Sequence, residues 1–146
     1  MCAAFANTTA EAFEFARELQ KLDNPESLVQ VAFNRAYDGA MQTATGWVDS
    51  GSIGLIQQSH HVLQDKNPTP GSYQSAGITA DMAIHLVYEA MAFRGTALPR
   101  TVQAVRFLAP HYQDAAGEGA NVVHSFLGWA DGNIAHLWGS RLNVCG

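Results

Sequence analysis

The side chains of this 146-residue chain best suited to proton transfer or metal binding are six histidines, His60, His61, His85, His111, His124 and His136. Imidazole titrates near neutral pH, so each is a potential acid, base or ligand. Their spacing does not build a helical metal face. No two lie four residues apart, H-E-x-x-H is absent, and so are the Glu-x-x-His pairs of di-iron bundles. No metal is therefore assigned. One alternative stays open: single inward histidines from several helices converging on a haem or a metal. His85 and Glu89 lie four apart, a spacing that reads as a hydrogen-bonded pair on one helical face. For acid–base work, the pairing to inspect is His60 or His136 with Asp49 or Asp131. Each aspartate precedes its histidine across a turn. No G-x-S-x-G, Walker or dinucleotide glycine pattern occurs.

A second pattern involves tryptophan. Gly46-Trp47-Val48-Asp49 returns as Gly128-Trp129-Ala130-Asp131, using two of only three tryptophans. Glycine bends a chain cheaply, tryptophan anchors a turn, and aspartate caps the helix that follows. The expectation is a helix-to-helix corner used twice, with a Trp-lined groove for a small apolar ligand as the alternative. The candidate binding residues are thus Trp47, Asp49, His60, Trp129, Asp131 and His136.

These residues need elements to hold them. Thr8 with Glu11 forms a capping box ahead of an Ala12, Phe15, Ala16, Leu19, Leu22 stripe. Pro25 opens a second helix carrying Leu28, Val31, Ala32, Ala36 and Met41. Ser50 or Ser52 starts a third, with Ile53, Ile56, His60 and Leu63 on one side. Residues 67–77, NPTPGSYQSAG, form a loop. Thr79 caps a fourth helix that stops at Gly95, and Pro99 opens a fifth. A last helical region runs from Asn121 to Trp138, broken near Gly132. The predicted fold is all-α, a compact bundle of five to seven helices in one globular domain over residues 1–146. Two pseudo-repeats of helix–helix–GWxD–helix, over 8–66 and 78–146, are expected within it. Phe13 to Leu28, FEFARELQKLDNPESL, resembles the helix–Asn/Asp-Pro–helix opening of phasins, granule-coating helical proteins. That resemblance covers the first quarter of the chain and implies no more than a helical opening.

Bulk composition bounds the function. Charged residues are only 14%, the net charge is −5, and the eight Lys and Arg are scattered. No basic stripe exists for nucleic acid, and no apolar run is long enough to span a membrane. A surface this poor in charge suggests a homo-oligomer or a protein partner. Cys2 and Cys145 sit one residue from either end. Two free thiols in a reducing cytoplasm are the expectation, with a terminal bridge in a secreted or periplasmic protein as the alternative. The function expected is a binding or assembly protein without catalysis, the alternative a small helical enzyme or haem- or metal-binding protein. Neither reading names a substrate or cofactor.

Overall fold

The computed structural model describes residues 8–21, 33–64, 77–109 and 120–141. It is an α/β fold, not a helical bundle. The described elements are α1 (Thr9–Lys21), a 3-10 turn (Asn34–Tyr37), α2 (Gly39–Asp49), β1 (Gln58–Gln64), α3 (Ile84–Ala92) entered through a π-turn (Thr79–Ala83), β2 (Thr101–Phe107), β3 (Val122–Gly128) and β4 (Ile134–Ser140).

The four strands form one sheet in the order β1-β4-β3-β2. β1 runs parallel to β4, while β4–β3 and β3–β2 are antiparallel. Helix α3 links one edge strand to the other across a single face. Leu86 is fully buried there, packed with Ala90 against Leu127, Ala135 and Leu137. The approach is close: a Cβ on Gly139 would lie 2.9 Å from Val123 Cγ1 and 3.8 Å from Leu86 Cδ1. Ile78, Met82 and Ala83 extend this core over Val123. Burial follows the strand period of two, so Val123, Ser125 and Leu127 are covered while His124 and Phe126 point away.

The two ends of the chain's helical reading hold up locally. α1 begins where the capping box placed it, with Glu11 N–H donating to Thr8 Oγ1 at 3.2 Å. The Thr79 segment is helical, and Gly95 at φ +59° follows its end. Three predicted helices are strands instead. QSHHVLQ is β1, TVQAVRF is β2, and the Asn121–Trp138 region is the β3–β4 hairpin. Tertiary pairing overrides the helical spacing because these runs are rich in Val, Phe, Thr and Trp, which suit a pleated surface. The hairpin also carries a turn dipeptide, Asp131-Gly132, with Gly132 at φ +85°.

The internal repeat falls with the bundle. Trp47 lies near the end of α2 and is 53% exposed, whereas Trp129 starts a hairpin turn and is 7% exposed. Unrelated elements surround the two G-W-x-D segments, so their similarity is coincidental. Residues 67–76 of the expected loop, most of the second predicted helix's first half, His111, and both cysteines lie outside the described residues.

Candidate functional site

Helix α3 positions most of the chemistry. Its buried side meets the sheet; it carries His85 and Glu89 four residues apart on one side, and Asp81 lies four residues before His85 in the π-turn that leads into it. Glu89 is buried, and two basic groups reach it from different elements. Arg35 Nη1, on the 3-10 turn, donates to Oε1 at 2.6 Å, and His61 Nδ1, on β1, lies 3.2 Å from Oε2. His61 is buried too, and its other nitrogen meets Ser59 Oγ at 3.0 Å. That arrangement fits a proton on Nδ1, donated to the carboxylate, with Nε2 accepting from the serine. Burial by itself would raise the Glu89 pKa. The His61 hydrogen bond and the Arg35 charge outweigh it and hold the group below its ordinary value.

His85, the next residue up the helix side, is placed differently. Its Nδ1 is buried and has no hydrogen-bond partner among the described residues. The Phe33 ring stands edge-on to it at 6.0 Å and stacks on Tyr88 at 4.6 Å. A buried imidazole nitrogen without a partner costs free energy unless something polar arrives to meet it. One turn earlier, Asp81 forms an ion pair with Arg141, whose side chain is almost fully buried at the end of β4. The pair fixes the carboxylate and ties the π-turn to the sheet. Beside this helix, Asn34, Arg35, Asp38, Met41 and Glu89 line a hollow of about 600 Å³. Arg35 and Glu89 stand in the wall of that hollow, while His85 and Asp81 are not among its lining residues. An imidazole with an unpartnered nitrogen can take up a hydroxyl proton where a ligand reaches it.

The residues singled out from sequence are distributed over three places. Trp129 and Asp131 form the hairpin clamp. Trp129 Nε1 donates to Ala97 O at 3.0 Å, and the Arg94 guanidinium lies 5.3 Å from the indole centroid. Arg94 also bonds Asp131, which accepts from Asn133 N–H as well. The Arg94 and Asn133 hydrogen bonds pull the exposed Asp131 carboxyl down to about 2. Asp131 thus caps a turn, though a hairpin turn and not a helix. A cleft of about 420 Å³ opens beside it, between Arg94, Leu55, Gln57 and Asn133. His60 and His136 do come together, with ring centroids 5.4 Å apart, on the sheet face opposite α3. Asp131 bonds Arg94 and Asn133 instead of pairing with His136. Trp47 and Asp49 stand at the end of α2. No group of three or more His, Cys, Asp or Glu among the described residues could hold a metal ion.

Sequence reasoning missed Asp81, Arg35 and His61, and placed His85 only as a partner of Glu89. The Asp81–His85 spacing was legible. The other contacts were not, because Arg35, His61 and Glu89 are far apart in the chain and meet only through the sheet crossover.

No family model and no curated protein matches the chain. Solved structures do. The chain is 24% identical to a probable dehydrogenase from Thermotoga maritima, with a TM-score of 0.82 over 97% of the chain. It is 27% identical to myo-inositol 2-dehydrogenase from Lactobacillus plantarum, with a TM-score of 0.77 over 97%. A scyllo-inositol dehydrogenase from Lactobacillus casei, solved with NAD(H) and scyllo-inositol, matches over 80% of the chain at 25% identity and a TM-score of 0.65. The chain spans 42%, 43% and 36% of these structures' own lengths. The expectation of a non-catalytic helical assembly protein is overturned by the sheet and by this likeness: the chain has the fold of one part of several dehydrogenases.

Proposed function

We propose that this chain is the substrate-facing part of an oxidoreductase acting on a cyclic polyol, with His85 as its proton-transferring group. The observation that carries the reading is the buried, unpartnered Nδ1 of His85, one turn from Asp81 in a fold shared with inositol dehydrogenases. Oxidising a secondary alcohol removes a hydride from carbon and a proton from oxygen. An imidazole can accept that hydroxyl proton at its open nitrogen. Asp81, four residues before His85 and immobilised by Arg141, is a carboxylate that can accept a hydrogen bond from a substrate hydroxyl. Arg35, held by Glu89, donates hydrogen bonds to further hydroxyls from the wall of the hollow.

The hydride acceptor implied by the fold is a nicotinamide dinucleotide. The residues here do not fit that group. The sequence has no G-x-G-x-x-G pattern, and among the described residues no glycine-rich turn joins a strand to a helix N-terminus, the arrangement that cradles a pyrophosphate. The dinucleotide would be held by a part outside these 146 residues, and no step is assigned to it here. The low charge of the chain supports a homo-oligomer, and its two lone cysteines support a cytoplasmic setting. Among the described residues no helix is long and apolar enough to cross a membrane.

Calorimetric titration of myo-inositol into the chain, and into His85→Gln and Asp81→Asn variants, tests the reading. Saturable binding weakened at least ~tenfold by either change is expected, the loss of one good hydrogen bond in a partly buried site. Binding that both variants leave intact contradicts it.

A further inference from the structure

Two residues of β1 and one of α3 form an array that the polyol chemistry leaves unexplained. Ser59 pairs in register with Ala135, and His61 with Leu137, both of which are buried against α3. A strand repeats its direction every second residue, so Ser59 and His61 share the α3 side of β1. Ser59 Oγ lies 3.0 Å from His61 Nε2, and His61 Nδ1 lies 3.2 Å from Glu89 Oε2. Arg35 holds the other carboxylate oxygen at 2.6 Å. The Phe93 ring packs beside the imidazole, with centroids 5.5 Å apart. His61 and Glu89 are buried, whereas Ser59 is partly exposed.

The order is hydroxyl, imidazole, carboxylate. A serine hydroxyl is a weak nucleophile until a base takes its proton, and an imidazole serves as that base when a third group fixes its tautomer. With Nδ1–H directed at Glu89, Nε2 is left to accept from Ser59. The tie between β1 and α3 is complete with His61 and Glu89 alone; Ser59 adds a partly exposed residue at its outer end. Just before it on the chain, Leu55, Ile56 and Gln57 line the 420 Å³ cleft that Arg94, Asp131 and Asn133 close. Gln57 is two residues from Ser59, or ~7 Å along an extended chain. Arg94 follows Phe93, so the cleft and the array meet at the same end of α3. Arg94 and Asp131 pair with each other, which leaves the cleft little net charge for an ion. Arg94 Nε is buried and unpaired among the described residues, so the guanidinium has donor capacity that Asp131 does not use. Leu55, largely exposed, and Ile56 give an apolar wall suited to a short acyl chain.

We propose that Ser59 is a nucleophile, with His61 as its base and Glu89 as its positioning residue, and that the chain hydrolyses neutral short-chain carboxylic esters there. Ser59 Oγ attacks the ester carbonyl carbon while its proton passes to His61 Nε2. The bond from that carbon to the alcohol oxygen breaks, and the alcohol leaves with the proton. Water then attacks the acyl-serine, giving a proton to Nε2. The acid departs as Ser59 Oγ takes that proton back. Glu89 faces the imidazolium in both halves and favours its charge. Arg94 offers N–H groups to the carbonyl oxygen as negative charge gathers on it. The inference goes beyond the polyol reading and uses neither His85 nor Asp81.

Hydrolysis of p-nitrophenyl acetate by the chain, before and after treatment with diisopropyl fluorophosphate, tests it. The fluorophosphate traps activated serines, and mass spectrometry of a digest should find its adduct on the Ser59 peptide. Ester turnover should be lost in step with that labelling. Ser59→Ala should lose both, with an unchanged circular dichroism spectrum and unchanged binding of myo-inositol. Glu89→Gln should lower kcat at least ~100-fold while KM moves less than ~twofold, the signature of a base that has lost its orientation. Exposed imidazoles such as His60 also attack activated esters, so the labelled residue decides. An adduct confined to other residues, or none, overturns the proposal. Full turnover in Ser59→Ala overturns it as well. An unchanged kcat in Glu89→Gln overturns the positioning role. Polyol binding is measured separately, so either reading can fail without the other.

Discussion

Replacing Glu89 by Ala removes the acceptor that joins three elements. Its side chain is 8% exposed, and His61 on β1 is 4% exposed, so neither can turn to water when the other is lost. Leaving the His61 Nδ1–H buried and unsatisfied costs about 1–3 kcal/mol. The Arg35 side chain is 39% exposed, so its share is screened and contributes at most about 1 kcal/mol. The total is about 1–4 kcal/mol. For a chain of this length that lowers the melting temperature by roughly 3–12 °C, at about 3 °C per kcal/mol. Thermal unfolding followed by circular dichroism reads this directly. Double-mutant cycles refine it: Glu89→Ala and His61→Ala should be non-additive by about 1 kcal/mol or more. A melting temperature that moves by less than about 1 °C, or strictly additive changes, would refute the argument that these groups form one buried network.

Other consequences follow from the same geometry. Trp129→Ala should cost about 3–5 kcal/mol in chemical denaturation, because the ring is buried and bonded to Ala97. Trp47→Ala, at a half-exposed position, should cost under about 1 kcal/mol; equal losses would restore the idea of two equivalent corners. Gly139→Val should fail to fold or lose several kcal/mol, about 3 or more, since even a Cβ meets Val123 at 2.9 Å; near-native stability would show that α3 can move off the sheet. The pH dependence has a definite sign. His136 has a folded pKa below its ordinary 6.5, so its contribution is whole above that pH and is lost as pH falls below it. Glu89 likewise contributes above its ordinary 4.5 and fades as pH falls further. Unfolding free energy should therefore decline below about pH 6.5, and His136→Gln should flatten the first part of that decline; an unchanged slope would count against it.

Local signals in the sequence predicted local structure well. Thr8 with Glu11 and Gly95 each mark a helix boundary through backbone groups a few residues away, and both are found, whereas Thr79 lies inside the helical segment and Ile78, with no side-chain cap bond, precedes it. The strands were hidden for a physical reason. Val122, Val123 and Leu127 are buried although they do not all share one face, so β3 reads as a broad apolar run. Such a run suits a buried strand or helix alike. The Asp131-Gly132 turn was the available discriminator, and it lay inside a segment read as helical. The candidate site was less legible. His85 and Asp81 are local and could be paired by spacing, but Arg35, His61 and Arg141 reach α3 through a crossover that no short window contains. The contact of His60 with His136 depends on parallel pairing of β1 with β4.

The central claim is that a cyclic polyol meets the open nitrogen of His85. Nitrogen-15 NMR of the imidazole, recorded while myo-inositol is titrated into the chain, observes that atom directly. The account predicts that the His85 Nδ1 resonance shifts as a hydrogen bond forms, saturating with the same midpoint as shifts at Asp81 and Arg35. Saturable binding that leaves the His85 ring nitrogens unmoved, with the perturbed resonances elsewhere, would contradict it.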